Sequence, residues 1–333
     1  MIPKNIQEIL KKQHYEIVGK HSAVQICRWT KKSIKDEGVC YKEKFYGIQS
    51  HRCCQMTPAV MWCPNKCLHC WRAIELTLGD KIKGKVDSPK EIIDKCIEAQ
   101  RKLILGFKIL PETEYKTKSK ANMKKWGEAQ EPMQFAISLS GEPTIYPKIG
   151  ELILDLRKRG KTSFLVTNGL YPEKIKEIAK KKQLPTQLYV SVNTPNKEEY
   201  DKFHRSSEKN AWEKLNETLE FLPKLSGKTR TIFRMNLIRG INMDNKNIHE
   251  FAQLIKKSKP LFIELKGYMS VGFARERLGY EMMPTYEEMI EFAKKLEKEL
   301  GKEKYKILDS HEFSRAIVLG KDKKELKIKK KDF

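Results

Sequence analysis

Residues 61–71 read MWCPNKCLHCW and directly follow an apolar run over 55–62 with the length and composition of a strand. Cys63, Cys67 and Cys70 have the spacing C-x3-C-x2-C, so three thiolates converge in one tight loop. Zinc is a competing occupant, but structural zinc sites usually pair two cysteine knuckles and close all four positions. An iron–sulfur cubane normally takes four cysteines, so a three-cysteine loop leaves one iron unligated by that loop. An open metal position is where a substrate or cofactor binds.

Beyond the loop, runs rich in β-branched residues at 133–140, 162–168, 187–193, 229–238 and 261–268 predict further strands. They alternate with helical patterns at 89–105, 148–159, 173–182, 207–222, 244–257 and 285–300. The first helix places Ile92, Ile93, Cys96, Ile97, Leu103 and Ile104 on one face, which makes Cys96 a core residue. A β-α unit repeated about six times argues for an α/β fold, a parallel sheet curled into a partial (β/α)6 TIM-like barrel. Active residues then belong at the carboxyl ends of the strands. Three polar motifs fall at such ends: Ser140-Gly141-Glu142-Pro143, Thr167-Asn168-Gly169 and Ser191-Val192-Asn193. Any one alone reads as a turn or a helix cap. Together, at successive strand ends, they are specific.

The cysteine loop after the first strand of a β/α repeat resembles the radical S-adenosylmethionine (SAM) superfamily. That resemblance implies a [4Fe-4S] cluster on Cys63, Cys67 and Cys70, with SAM held through its amino and carboxylate groups at the open iron. Ser140, Gly141 and Glu142 resemble the element that receives the methionine amino group, and Asn168, Ser191 and Asn193 fall where ribose hydroxyls are bound. The superfamily favours an aromatic residue just before the third cysteine. Here it is His69, whose imidazole can still pack on adenine.

Residues 1–50 show little regularity beyond a helix near Asn5 to Gln13, and Cys27, Cys40 and Cys53 stand at intervals of thirteen residues. That interval is no helix or strand period, so the trio suggests a second cubane one ligand short, with Cys54 an alternative third ligand. Ordinary buried thiols are the competing reading. This arrangement, followed by MWCPNKCLHCWR and SGEPT, resembles the tRNA 4-demethylwyosine synthases of the wybutosine pathway over nearly the whole chain. The resemblance implies two [4Fe-4S] clusters, and condensation of N1-methylguanosine-37 of tRNA(Phe) with pyruvate to 4-demethylwyosine. It also implies a pyruvate Schiff base on Lys42. A free lysine titrates near about 10.4; burial would lower that value and an anionic cluster would raise it, while a simple cation for carboxylate or phosphate is the bland role for Lys42. The larger relatives carry a flavodoxin-like domain that this sequence lacks, so an external donor of flavodoxin or ferredoxin type is expected.

Lysine and arginine number 67 against 43 acids among 333 residues, a formal net charge of +24. A polyanion is the natural partner, although lysine enrichment alone also raises charge. The expected tRNA contacts are His204, Arg205, Arg239 and a basic insertion at 106–132. That insertion holds Lys108, Lys116, Lys118, Lys120, Lys124 and Lys125 with Tyr115 and Trp126 interleaved. The expected domains are a cluster-binding extension at 1–54, the barrel at 55–320 and a basic tail at 321–333. With no run of about 18 apolar residues and no signal peptide, a cytoplasmic monomer without membrane contact is expected, in which eight cysteines serve metal or catalysis rather than disulfides. The rival readings are another two-cluster radical SAM enzyme, such as a methylthiotransferase, and a non-catalytic metal-binding RNA module.

Overall fold

Among residues 1–108 and 121–332, which the computed structural model describes, six consecutive strands run parallel. Two short strands, β1 (Glu16–Val18) and β2 (Ser22–Gln25), precede them. The parallel set is β3 (Cys53–Thr57), β4 (Gln134–Ile137), β5 (Thr162–Thr167), β6 (Gln187–Ser191), β7 (Arg230–Leu237) and β8 (Phe262–Gly267). A hairpin of β9 (Lys306–His311) and β10 (Ala316–Gly320) follows. The sheet order β1-β2-β3-β4-β5-β6-β7-β8-β10-β9 has antiparallel pairs at both ends, so the barrel stays open between β1 and β9.

Helices α1 (Lys4–Lys12), α2 (Arg28–Ile34) and α3 (Tyr41–Tyr46) lie before β3. The crossovers are made by α4 (Pro89–Ile104), α5 (Met123–Ala129), α6 (Ile149–Lys158), α7 (Pro172–Lys180), α8 (Lys197–His204), α9 (Ala211–Phe221) and α10 (Asn245–Ser258). The last helix, α11 (Tyr286–Leu300), leads to the hairpin.

Strand alternation divides the core in two. Leu165, Leu188, Val190, Phe233 and Ile263 pack under the helices, with Cys96 of α4 fully buried among them. Their neighbours Phe164, Tyr189, Ile232 and Phe262 form a separate inner cluster with Phe45, Tyr46 and Val318. This inner cluster plugs the barrel below the site.

The amino-terminal segment is more regular than expected. The β1-β2 hairpin extends the sheet beside β3, and α2 and α3 begin directly after Cys27 and Cys40. Strands of three and four residues are too short for a period of two to emerge from sequence. Part of the expected basic insertion is also built into the fold. Asn122 caps α5, Trp126 Nε1 donates to the Ile104 carbonyl at 2.9 Å, and Lys125 pairs with Asp36. Lys116, Lys118, Lys120 and Tyr115 lie outside the described residues. The expected basic tail packs as well: Leu326 is buried, Arg230 donates to the carbonyls of Glu325 and Leu326, and Asp332 pairs with Arg230.

Candidate active site

The loop that follows β3 is held from three sides. Thr57 Oγ1 donates to the Ser140 carbonyl at 2.6 Å, and the Glu142 N–H donates to the Trp62 carbonyl at 2.7 Å. Gly141 between them has φ +72°, and a Cβ there would stand 1.9 Å from the Ala59 carbonyl oxygen. Only glycine lets the segment after β4 lie this close to the cysteine loop. Arg72, 3% exposed, donates to the Asn65 carbonyl at 3.0 Å, and Arg277 donates to the carbonyls of Leu68, Cys70 and Arg72. These two arginines were not anticipated; among so many basic residues nothing in the sequence distinguished them.

Within this frame the thiols of Cys63 and Cys70 lie near enough to act on that of Cys67. Burial pushes Cys63 up to about 11, with the Arg72 guanidinium opposing the rise. Burial, then the thiols of Cys63 and Cys70, push Cys67 well above the ordinary range. Metal coordination reverses that preference by deprotonating the thiol outright. Among the described residues no three His, Cys, Asp or Glu groups converge on one point as ligands of a single ion do. A cubane makes no such demand, because each thiolate binds a different iron. Ser140 Oγ is buried without a hydrogen-bond partner, the expected state of a group waiting for a ligand.

The other expected SAM residues divide. Asn168 Nδ2 lies 3.8 Å from Cys63 Sγ, so its strand end reaches the cysteine loop. The Glu142 carboxylate is engaged within the protein. It accepts from Thr144 N at 3.1 Å, Thr144 Oγ1 at 2.6 Å, Thr167 Oγ1 at 2.7 Å and Asn168 N at 2.7 Å, tying two strand ends together. Burial raises its pKa against those bonds. Asn193 Oδ1 accepts the Asn236 N–H at 3.0 Å, and Ser191 is the register partner of Arg234. The imidazole of His69 stacks on Phe203 at 5.1 Å and 9°, so one of its faces is already covered.

Cys27, Cys40 and Cys53 also come together. Burial, then the Cys27 thiol, pushes Cys40 up to about 12 and Cys53 well above its ordinary value. Cys54 points the other way, its Sγ 3.9 Å from the Cys96 carbonyl, as neighbours on a strand must. Between this trio and the barrel wall, Lys42 Nζ lies 4.8 Å from the Phe164 ring centroid and 5.0 Å from that of Tyr189. Sequence reasoning missed the charged layer above those rings. Glu264, fully buried, accepts from the hydroxyls of Tyr41 at 2.8 Å and Tyr46 at 3.1 Å, and Arg234 Nε stands 3.4 Å from it. Lys266 Nζ lies 4.7 Å from the Tyr41 ring centroid, and burial lowers its pKa to about 8 although Glu264 opposes the fall. Charges inside runs as apolar as 229–238 and 261–268 were the available signal.

A family described as the radical SAM superfamily matches residues 58–252, and one described as wyosine base formation matches 257–321. The S-adenosyl-L-methionine-dependent tRNA 4-demethylwyosine synthase of Pyrococcus abyssi is 44% identical over 321 residues, covering 96% of this chain and 90% of that protein. The chain belongs to the tRNA 4-demethylwyosine synthase family. The Methanocaldococcus jannaschii synthase is 38% identical over 333 residues, covering 99% of this chain and 100% of its own. A solved synthase structure, described as TYW1 with a lysine-pyruvate adduct bound, superposes with a TM-score of 0.83 at 37% identity, covering 99% of each chain. As a synthase of this family the chain is a radical SAM enzyme, using SAM and a [4Fe-4S] cluster.

Each of the expected tRNA contacts His204, Arg205 and Arg239 has a partner within the protein. His204 is 3% exposed, with Nδ1 3.0 Å from Cys67 Sγ and its pKa lowered to about 3 by burial, so it cannot meet a phosphate. Arg205, at φ +45°, donates to the Lys66 carbonyl at 3.1 and 2.9 Å and clamps the cysteine loop. Arg239 is bound to both carboxylate oxygens of Glu288 at 2.7–3.1 Å.

Proposed function

We propose that this synthase condenses N1-methylguanosine at position 37 of tRNA(Phe) with pyruvate to give the tricyclic 4-demethylwyosine. Two pyruvate carbons are retained and the carboxyl carbon leaves. Cys27, Cys40 and Cys53 hold a second [4Fe-4S] cluster, and Lys42 forms a Schiff base with the pyruvate carbonyl, releasing water. The observation that carries this reading is the position of Lys42, its ammonium over the Phe164 and Tyr189 rings and beside the second cysteine trio. The lysine-pyruvate adduct described for a relative 37% identical supports it.

When bound, the cluster at the Cys63 loop supplies the electron for SAM cleavage and hence the abstraction of hydrogen from the guanosine N-methyl group. The chain's own part is positional. The Gly141 cradle sets the SAM-binding strand ends against the cysteine loop, and the inner ring cluster closes the site from below. An external reductant of flavodoxin or ferredoxin type serves a monomer in the cytoplasm.

The test is nucleoside mass spectrometry after anaerobic incubation of reconstituted enzyme with methylguanosine-bearing tRNA, pyruvate, SAM and reductant. The tricyclic base is expected from the wild type. Lys42→Ala should release 5′-deoxyadenosine without forming that base, and Cys63→Ala should do neither. Undiminished base formation by Lys42→Ala would overturn the covalent role.

A further inference from the structure

Halfway up the barrel interior, charge replaces rings. Ser191, Arg234 and Glu264 are register partners across β6, β7 and β8, one layer above Tyr189, Ile232 and Phe262. Both Glu264 oxygens are taken by tyrosine hydroxyls, so this carboxylate aims the guanidinium of Arg234 without saturating it. The Arg234 side chain donates no hydrogen bond to any described residue, yet 33% of it is exposed. Lys42, one layer below, has no ion-pair or hydrogen-bond partner among the described residues. Lys266 faces the same space and donates to the Ser314 carbonyl.

Two cations, Arg234 and Lys266, thus share one carboxylate that two phenols already occupy, and Lys42 stands near Lys266. Unpaired charge in such an interior is costly unless an anion enters. The cysteine trio stands beside Lys42 and Lys266, whereas the groups acting on Arg234 are Tyr41, Glu264, Tyr189 and Tyr46. A planar guanidinium with open N–H groups matches a carboxylate in bidentate geometry. The layer spacing along a strand, about 6–7 Å for two residues, suits a three-carbon molecule reaching from an amine to a hydrogen bond of about 2.8 Å.

We propose that Arg234 is the carboxylate-binding residue for a small 2-oxo acid whose carbonyl faces Lys42, with Glu264 as the positioning residue that aims it. The proposal rests on the reading that Lys42 meets pyruvate, and deepens it by assigning the other end of the substrate.

The test uses reconstituted holoenzyme and borohydride trapping, with intact mass read against pyruvate concentration. Arg234→Gln should raise the half-saturating concentration about 10- to 100-fold, the effect of losing a charge-assisted pair, and Arg234→Lys should raise it less. With pyruvamide, which has no carboxylate, Arg234→Gln and wild type should trap alike. Unchanged half-saturation in Arg234→Gln would overturn the assignment in favour of a cluster iron or Lys266; an equal loss with both ketones would make Arg234 a structural residue only. Should the wild type trap neither ketone, the Lys42 reading fails on its own, and calorimetry of pyruvate on Lys42→Ala holoenzyme decides for Arg234. Binding retained there and lost in the Lys42→Ala, Arg234→Gln double variant supports the grip, and binding retained in both overturns it.

Discussion

Gly141 carries two constraints at once, a φ of +72° and a carbonyl oxygen 1.9 Å from where a side chain would begin. The obstructing atoms belong to the backbone of Ala59 and Trp62 and cannot rotate aside. Gly141→Ala should therefore lower stability by about 2 kcal/mol or more, as strain and overpacking do, and weaken SAM binding of the reconstituted enzyme at least about tenfold. Thermal melts and a SAM titration measure both; wild-type affinity would show that the cradle yields. His21 governs a different response. Its Nδ1 lies 2.6 Å from the Pro58 carbonyl and its Nε2 accepts the Asp87 N–H at 3.0 Å, an arrangement that requires the neutral ring. Burial lowers its pKa from 6.5, with the Pro58 carbonyl and Asp87 opposing. Between that lowered value and 6.5 the unfolded chain binds more protons than the folded one, so stability rises with pH there. The contribution is complete above about pH 6.5 and drains away as the pH falls. Urea unfolding at pH 7.5 and 5.5 should show a smaller acid loss in His21→Gln than in the wild type.

The elements that carry the site were legible for concrete reasons. Strands β4 to β8 are almost wholly buried, which makes them continuous apolar runs, and α4 shows a one-sided apolar stripe. The capping box that Ser88 and Glu91 form at its start was not anticipated. Ser88→Ala should remove about 1 kcal/mol, measurable as a lowered denaturation midpoint. Elsewhere the signal is weak. β1 and β2 have three and four residues, α8 has eight, and most of β9 is half-buried, so none shows a clear period. β10, the run AIVLG, was readable as a strand but stood outside the β-α alternation. In the site, the cysteines stood out by spacing and Gly141 by its motif at a strand end, whereas Lys42 came only with the family resemblance. The engagement of Glu142 by Thr144, Thr167 and Asn168 did not, because it depends on how neighbouring strand ends approach. His204 misled for a related reason: a histidine beside arginine looks like surface, and only the packing of α8 against the cysteine loop puts it inside.

At the scale of the molecule, a net charge of +24 must be balanced by something. For the proposed tRNA substrate, contacts to about 6–10 phosphates predict that affinity falls about 10³- to 10⁵-fold between roughly 50 and 200 mM salt. Fluorescence anisotropy with labelled tRNA checks this, and a flat response would remove the phosphate-led mode of binding. The inner plug adds a constraint of another kind. Lys327 donates to the carbonyls of Glu43 and Lys44, 284 and 283 positions away, and the Ile328 N–H donates to the Tyr46 carbonyl at 3.0 Å. The segment bearing Lys42 is thus clasped by residues made almost three hundred codons later. During synthesis the barrel's floor is therefore still unlatched when β10 is made, and its seating waits for residues 327 and 328 to arrive.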